Sequence, residues 1–137
     1  MKVLIFVAIA VLLLASTAGT HTALSSGVMF QGFYWNVPEG WYATLADAAP
    51  SFGDINGYSI DYIWFPPPSK GMSGASSMGY DIYDYYDLGS YDQKDTIETR
   101  FGSFDELKDA IETYHGYGIG VIGDLVLNHR GGGDLEF

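Results

Sequence analysis

The sequence predicts an α/β domain built on a parallel sheet. Three short, nearly all-apolar segments, at residues 27–35, 59–65 and 119–127, alternate with two stretches whose apolar residues recur at helical spacing. Strands that alternate with helices imply parallel pairing and right-handed crossovers. No repeat, low-complexity tract or hinge-like linker divides residues 24–137, so they read as a single unit.

The first 23 residues read as an address rather than as structure. Met1-Lys2 precedes an apolar run over residues 3–15, and Ser16, Thr17, Ala18 and Gly19 follow. One positive charge, a short apolar run and a small-residue exit make a secretory signal peptide, cleaved after Ala18 or a little later after Ala23. The run falls short of the ~20 residues that span a bilayer. The expected mature protein is therefore secreted, and free of the membrane once the leader is removed.

Residues 27–35 (GVMFQGFYW) are short, apolar and aromatic, as in a buried first strand. Trp41, Leu45, Ala48 and Phe52 recur at 4-3-4 spacing and predict an amphipathic helix, which Pro50 should end or kink. Residues 59–65 (SIDYIWF) form the second strand, stopped by Pro66-Pro67-Pro68, which cannot donate to a ladder. A polar stretch rich in Gly and Tyr then runs from Ser69 to about Gly102, and loops of that length in compact domains are usually functional or disordered. Ser103-Phe104-Asp105-Glu106 is a capping box that opens a second helix. Phe104, Leu107, Ile111 and Tyr114 mark its apolar face, and Gly116 or Gly118 can terminate it. Residues 119–127 (IGVIGDLVL) suit a parallel strand covered on both faces.

Composition narrows the function. Lys+Arg 6 against Asp+Glu 17 gives a net charge of −11, which argues against nucleic acid and against anionic lipid as partners. The absence of Cys removes disulfides, a thiol nucleophile and thiolate-bound metals. Aromatic residues make up 16% of the chain and Tyr numbers 11, which suits stacking on sugar rings and equally suits a packed core.

In parallel α/β sheets chemistry sits beyond the carboxyl ends of the strands. Two clusters fall there. Asp124 interrupts an apolar strand, where a carboxylate must be paired or hydrogen-bonded. Asn128 and His129 emerge as that strand ends; an Asn carbonyl is a hard ligand suited to Ca²⁺, and a His can hydrogen-bond a sugar hydroxyl. The plain structural alternative is a strand-end Asn cap, a solvated His and an Asp satisfied by backbone. The second cluster is residues 78–89 (MGYDIYDYYDLG), whose Tyr faces could stack on pyranose rings; it reads equally as a Tyr-rich loop packed over a sheet end.

Asp124-x-x-x-Asn128-His129 resembles the first signature region of glycoside hydrolase family 13, the α-amylase family. Residues 29–37, 63–72, 78–89, 91–94, 97–102 and 128–136 resemble, in the same order, segments of the archaeal and plant-like liquefying α-amylases. The resemblance implies that residues 24–137 are the N-terminal part, about β1-α1-β2-α2-β3, of a (β/α)₈ TIM barrel. It implies that Tyr80 stacks on the sugar at the cleavage subsite and that His129 hydrogen-bonds that sugar. Asn128 would be a ligand of a structural Ca²⁺, and Asp124 would support the site without attacking substrate. The substrate would be an α-1,4-glucan such as starch or glycogen, hydrolysed with retention by a monomeric enzyme. Residues 53–59 are longer than the usual turn before the second strand, and Gly123 stands where a larger residue commonly precedes Asp124.

Retaining hydrolysis needs a nucleophile and a proton donor about 5 Å apart. The family's later signature regions carry them, and none of those regions occurs here. The expectation is therefore an N-terminal fragment of an α-amylase, without catalytic carboxylates of its own and inactive alone. The alternatives are another activity of the same family and a short non-catalytic glucan- or calcium-binding module.

Overall fold

The computed structural model describes residues 27–53 and 60–132. The expected leader, most of the long turn at 53–59 and the end of the last motif, 133–136, lie outside the described residues.

Three parallel strands form the sheet, in the order β1 (Met29–Gln31), β2 (Tyr62–Phe65), β5 (Gly120–Gly123). Helix α1 (Trp41–Phe52) lies between β1 and β2 in the chain, and α2 (Phe104–Gly116) precedes β5. The long loop is not featureless. It folds a two-stranded antiparallel sheet, β3 (Lys70–Gly71) with β4 (Ile82–Asp84), around a short 3₁₀ turn at Gly74–Ser76. The expected β-α-β-α-β order is thus interrupted by a hairpin-like insert that period-two patterning does not reveal, because each strand is only two or three residues long. A parallel three-stranded sheet is compatible with part of a barrel and cannot itself close one.

Helix α1 begins without a side-chain cap. Gly40 takes the left-handed conformation at φ 71°, and the loop before α2 serves the first turn: Gly40 N donates to Arg100 O (2.9 Å) and Tyr42 N to Phe101 O (2.8 Å). The helix continues through Pro50 to Phe52 rather than ending there. Pro50 is exposed and in the last turn, where few further intrahelical bonds depend on it. The buried face is Tyr42, Leu45 and Ala49, one residue round from part of the expected stripe. Helix α2 has the expected capping box, with Ser103 N donating to Glu106 Oε2 (2.8 Å) and Glu106 N to Ser103 Oγ (3.2 Å). It closes at Gly118, φ 75°. Both helices bury their apolar faces with Ile63, Phe65 and Ile119 in one core, where the Phe65 ring stacks on Tyr42 and meets Tyr114 edge-on.

Two expected strands are shorter and more open than their composition suggests. In the first segment only Met29–Gln31 pairs, and Val28, Met29 and Phe30 are exposed because β1 is an edge of this sheet. The last strand stops at Gly123; Asp124 N still donates to Phe65 O (3.2 Å), but beyond Phe65 the facing residues are prolines with no N–H. Leu125 and Leu127 consequently stand exposed.

Candidate functional site

The carboxyl ends of β1, β2 and β5 and the β3–β4 insert converge on one cluster. Asp124 follows β5 directly, and the carboxylate that sequence required to be partnered accepts a hydrogen bond from the Tyr80 hydroxyl (2.8 Å). Partial burial, then the Asp124 carboxylate, pushes the Tyr80 phenol up to about 12. His129 Nε2 lies 2.7 Å from the Tyr80 carbonyl oxygen. That oxygen can only accept, so Nε2 carries the proton and Nδ1 is the ring nitrogen left for another partner. Tyr80, Asp124 and His129 are therefore brought together, although 44 and 49 residues separate Tyr80 from the other two.

Glycine sets where Tyr80 stands. Gly79 has φ 83°, and an added Cβ would meet Pro67 O at 2.6 Å, so the chain passes tightly against the end of β2 just before the tyrosine. Asp81 fixes the other side. Its carboxylate accepts from Ser73 N (3.0 Å), Ser73 Oγ (2.8 Å) and the Ser77 hydroxyl. Burial opposes ionisation of Asp81, but these donors outweigh it and hold the carboxyl below the usual range. Trp35, exposed at the end of the β1 segment, stacks near Tyr80 with ring centroids 6.0 Å apart and planes 21° from parallel. A cavity of about 370 Å³ opens between Trp35, Asn36, Tyr80 and the 73–78 turn. Trp35 is a site residue the sequence reading passed over; its place at a strand's carboxyl end was the signal.

The loop tyrosines expected as one group divide. Tyr80 and Tyr85 face the segment after β5, with the Tyr85 hydroxyl within reach of Val126 O (3.0 Å) and His129 O (2.9 Å). The Tyr83 ring carries Lys94 Nζ 4.4 Å from its centroid. Tyr86 and Tyr91 instead border a separate depression with Leu88, Ser90 and Phe104. Asn128 is exposed and joins none of the hydrogen bonds among the described residues. No three His, Asp or Glu side chains gather for a metal ion among the described residues. Ca²⁺ takes six to eight oxygen ligands, so a single Asn carbonyl does not by itself make such a site. At Gly123 an added Cβ would meet open space, so the glycine there costs Asp124 no packing contact.

Sequence reading also missed a buried ion pair. Lys70 and Asp87 are fully buried, with Nζ 3.2 Å from Asp87 Oδ2. The ammonium also reaches the carbonyls of Tyr91, Thr96, Ile97 and Glu98 at 2.6–3.3 Å. Asp87 Oδ1 accepts from Gly89 N and Ser90 N (both 2.9 Å). The pair ties the 85–98 loop to β3 and lies apart from the Tyr80 cluster; one lysine two residues after a triple proline, in so acidic a chain, was its trace in the sequence.

No family model matches the chain. It is similar to a cytoplasmic α-amylase of Escherichia coli, 43% identical over 108 residues, covering 77% of this chain and 21% of that protein. It is 37% identical over 128 residues to an α-amylase of Bacillus licheniformis, covering 91% of this chain and 24% of the relative. It is also 37% identical over 117 residues to a glucan 1,4-α-maltohexaosidase of a Bacillus species, covering 83% and 22%. The chain thus spans between a fifth and a quarter of the length of these relatives. The similarities support kinship with part of an α-amylase.

Proposed function

We propose that this chain is the N-terminal part of the catalytic barrel of an α-amylase, a family 13 glycoside hydrolase acting on α-1,4-linked glucans. The observation that carries the reading is the meeting of Tyr80, Asp124 and His129 at the carboxyl ends of parallel strands, in a chain whose relatives are α-amylases. The Tyr80 face offers a platform for the apolar side of a pyranose. Asp124 fixes the phenol's orientation by accepting its hydrogen bond, so its role is to order the site rather than to attack. His129 presents Nδ1 to a hydroxyl. The exposed apolar residues of β1 and of the segment after β5 are what a barrel would cover, which favours the (β/α)₈ fold.

The finer parts of the proposal rest on the motifs alone. These are the archaeal and plant-like likeness, hydrolysis with retention by two carboxylates outside this chain's motifs, and Asn128 as a calcium ligand whose companions lie outside the described residues. A monomeric state belongs with them. Secretion rests on residues 1–23 only, since one relative is named as cytoplasmic. The maltohexaosidase relative favours one second reading, a family member releasing maltooligosaccharides of fixed length.

Titration of the ¹⁵N-labelled chain with maltoheptaose tests the proposal. Shifts should concentrate at Trp35, Tyr80 and His129, weaken in His129→Ala, and be absent with cellohexaose. Equal responses to both sugars, or none to maltoheptaose, refute it.

A further inference from the structure

We propose that Tyr85 is a positioning residue that shapes the turn carrying Asn128 and His129; this deepens the reading of Tyr80 and His129 as the glucan-binding pair and rests on it. The segment 124–131 runs beside residues 80–85 and is tied to them at several points. Tyr80 holds Asp124 at one end (2.8 Å). At the other, Arg130 Nε donates to Tyr83 O (2.7 Å) and Gly131 N to Ile82 O (2.7 Å). Between those anchors the main chain of 126–129 has one tie among the described residues, the Tyr85 hydroxyl. It lies 3.0 Å from Val126 O and 2.9 Å from His129 O.

A phenol has a single proton to donate, so the two carbonyls share it. Two carbonyl oxygens three residues apart that point at one place repel each other unless a donor sits between them. The hydroxyl therefore fixes the curvature of the chain on both sides of Asn128. It also sets the backbone from which the His129 ring reaches Tyr80 O. Without that donor the carbonyls turn toward water, and the imidazole loses its bond to Tyr80 O. Tyr85 acts through His129 and not by contact with sugar. The adjacent Tyr86 is 90% exposed and is not part of the clamp.

Tyr85→Phe removes the donor and keeps the ring. Carbonyl ¹³C shifts and ¹⁵N relaxation of the full chain are compared with wild type, alongside maltoheptaose titration, with Tyr117→Phe at the far end of α2 as the control. The Val126 and His129 carbonyl signals should move upfield and the order parameters of 127–130 should fall, while β2 and α2 stay unchanged. Maltoheptaose affinity should fall about ten-fold, the size of one lost hydrogen bond, and Tyr117→Phe should behave as wild type. Unchanged carbonyl shifts and order parameters overturn the clamp, and a loosened turn with wild-type affinity overturns its role in binding. A wild-type chain that ignores maltoheptaose, or His129→Ala that binds undiminished, overturns the glucan reading and with it the binding role. In that case the NMR comparison still decides whether Tyr85 holds the turn.

Discussion

Replacing Lys70 with Met should destabilise this fold more than any single change at its surface. The ammonium faces Asp87 Oδ2 at 3.2 Å and four main-chain carbonyls, all within a site closed to solvent. Asp87 Oδ1 has its own N–H donors, but Oδ2 forms no well-directed hydrogen bond and relies on the ion pair. Lys70→Met fills similar space and leaves that carboxylate buried and uncompensated, a loss of about 3–5 kcal/mol. Whole domains are stable by roughly 5–15 kcal/mol, so the urea midpoint, followed by tryptophan fluorescence, should fall by about a fifth or more. Adding Asp87→Asn keeps an acceptor for the Gly89 and Ser90 amides and removes the stranded charge. The double variant should recover about 1–3 kcal/mol of the loss. A Lys70→Met protein within about 1 kcal/mol of wild type, or a double variant that is worse than the single, would refute the reasoning.

Ser103→Ala removes one half of the capping box and should cost about 1 kcal/mol, seen as faster amide exchange in the first turn of α2 with β2 unaffected. The Tyr80 phenol gives a pH signature. Its pKa in the fold, about 12, lies above the ordinary 10.0, so the associated stability is present below pH 10 and is lost as pH rises toward 12. Asp124→Asn removes the carboxylate's share and leaves that of burial. Ultraviolet tyrosinate titration should therefore show one phenol ionising earlier than in wild type, and superimposable curves would contradict the Tyr80–Asp124 bond.

What sequence could show follows from how each feature is encoded. The helices were legible because 3.6-residue periodicity and a capping box are local, and the three parallel strands because apolar runs between turn signals are local too. Pro50 misled because its cost depends on how near the helix end lies, and strand burial misled because it depends on what covers each face. The β3–β4 insert, the Lys70–Asp87 pair and the Tyr85 hydroxyl were hidden for a common reason. Each joins residues 11–44 positions apart with no periodic trace. Asp124 was legible as a residue needing a partner, since a carboxylate in an apolar run is costly wherever it sits, but the identity of that partner required the fold.

The charge balance gains a structural meaning from the same contacts. Five of the six basic residues lie among the described residues, and each is engaged within the chain. Lys70 is buried against Asp87, Lys94 covers the Tyr83 ring, and Lys108 faces Glu112 at 3.6 Å. Arg100 Nε donates to Val37 O and Arg130 Nε to Tyr83 O, both at 2.7 Å. These cations bind carbonyls, carboxylates and a ring of the chain itself, with Lys108 and Arg130 still exposed to solvent. What the cleft beside Tyr80 offers instead is an indole, a phenol, serine hydroxyls and a carboxylate. Such a surface suits a neutral ligand with apolar ring faces and hydroxyl edges, which is the chemistry of the proposed glucan.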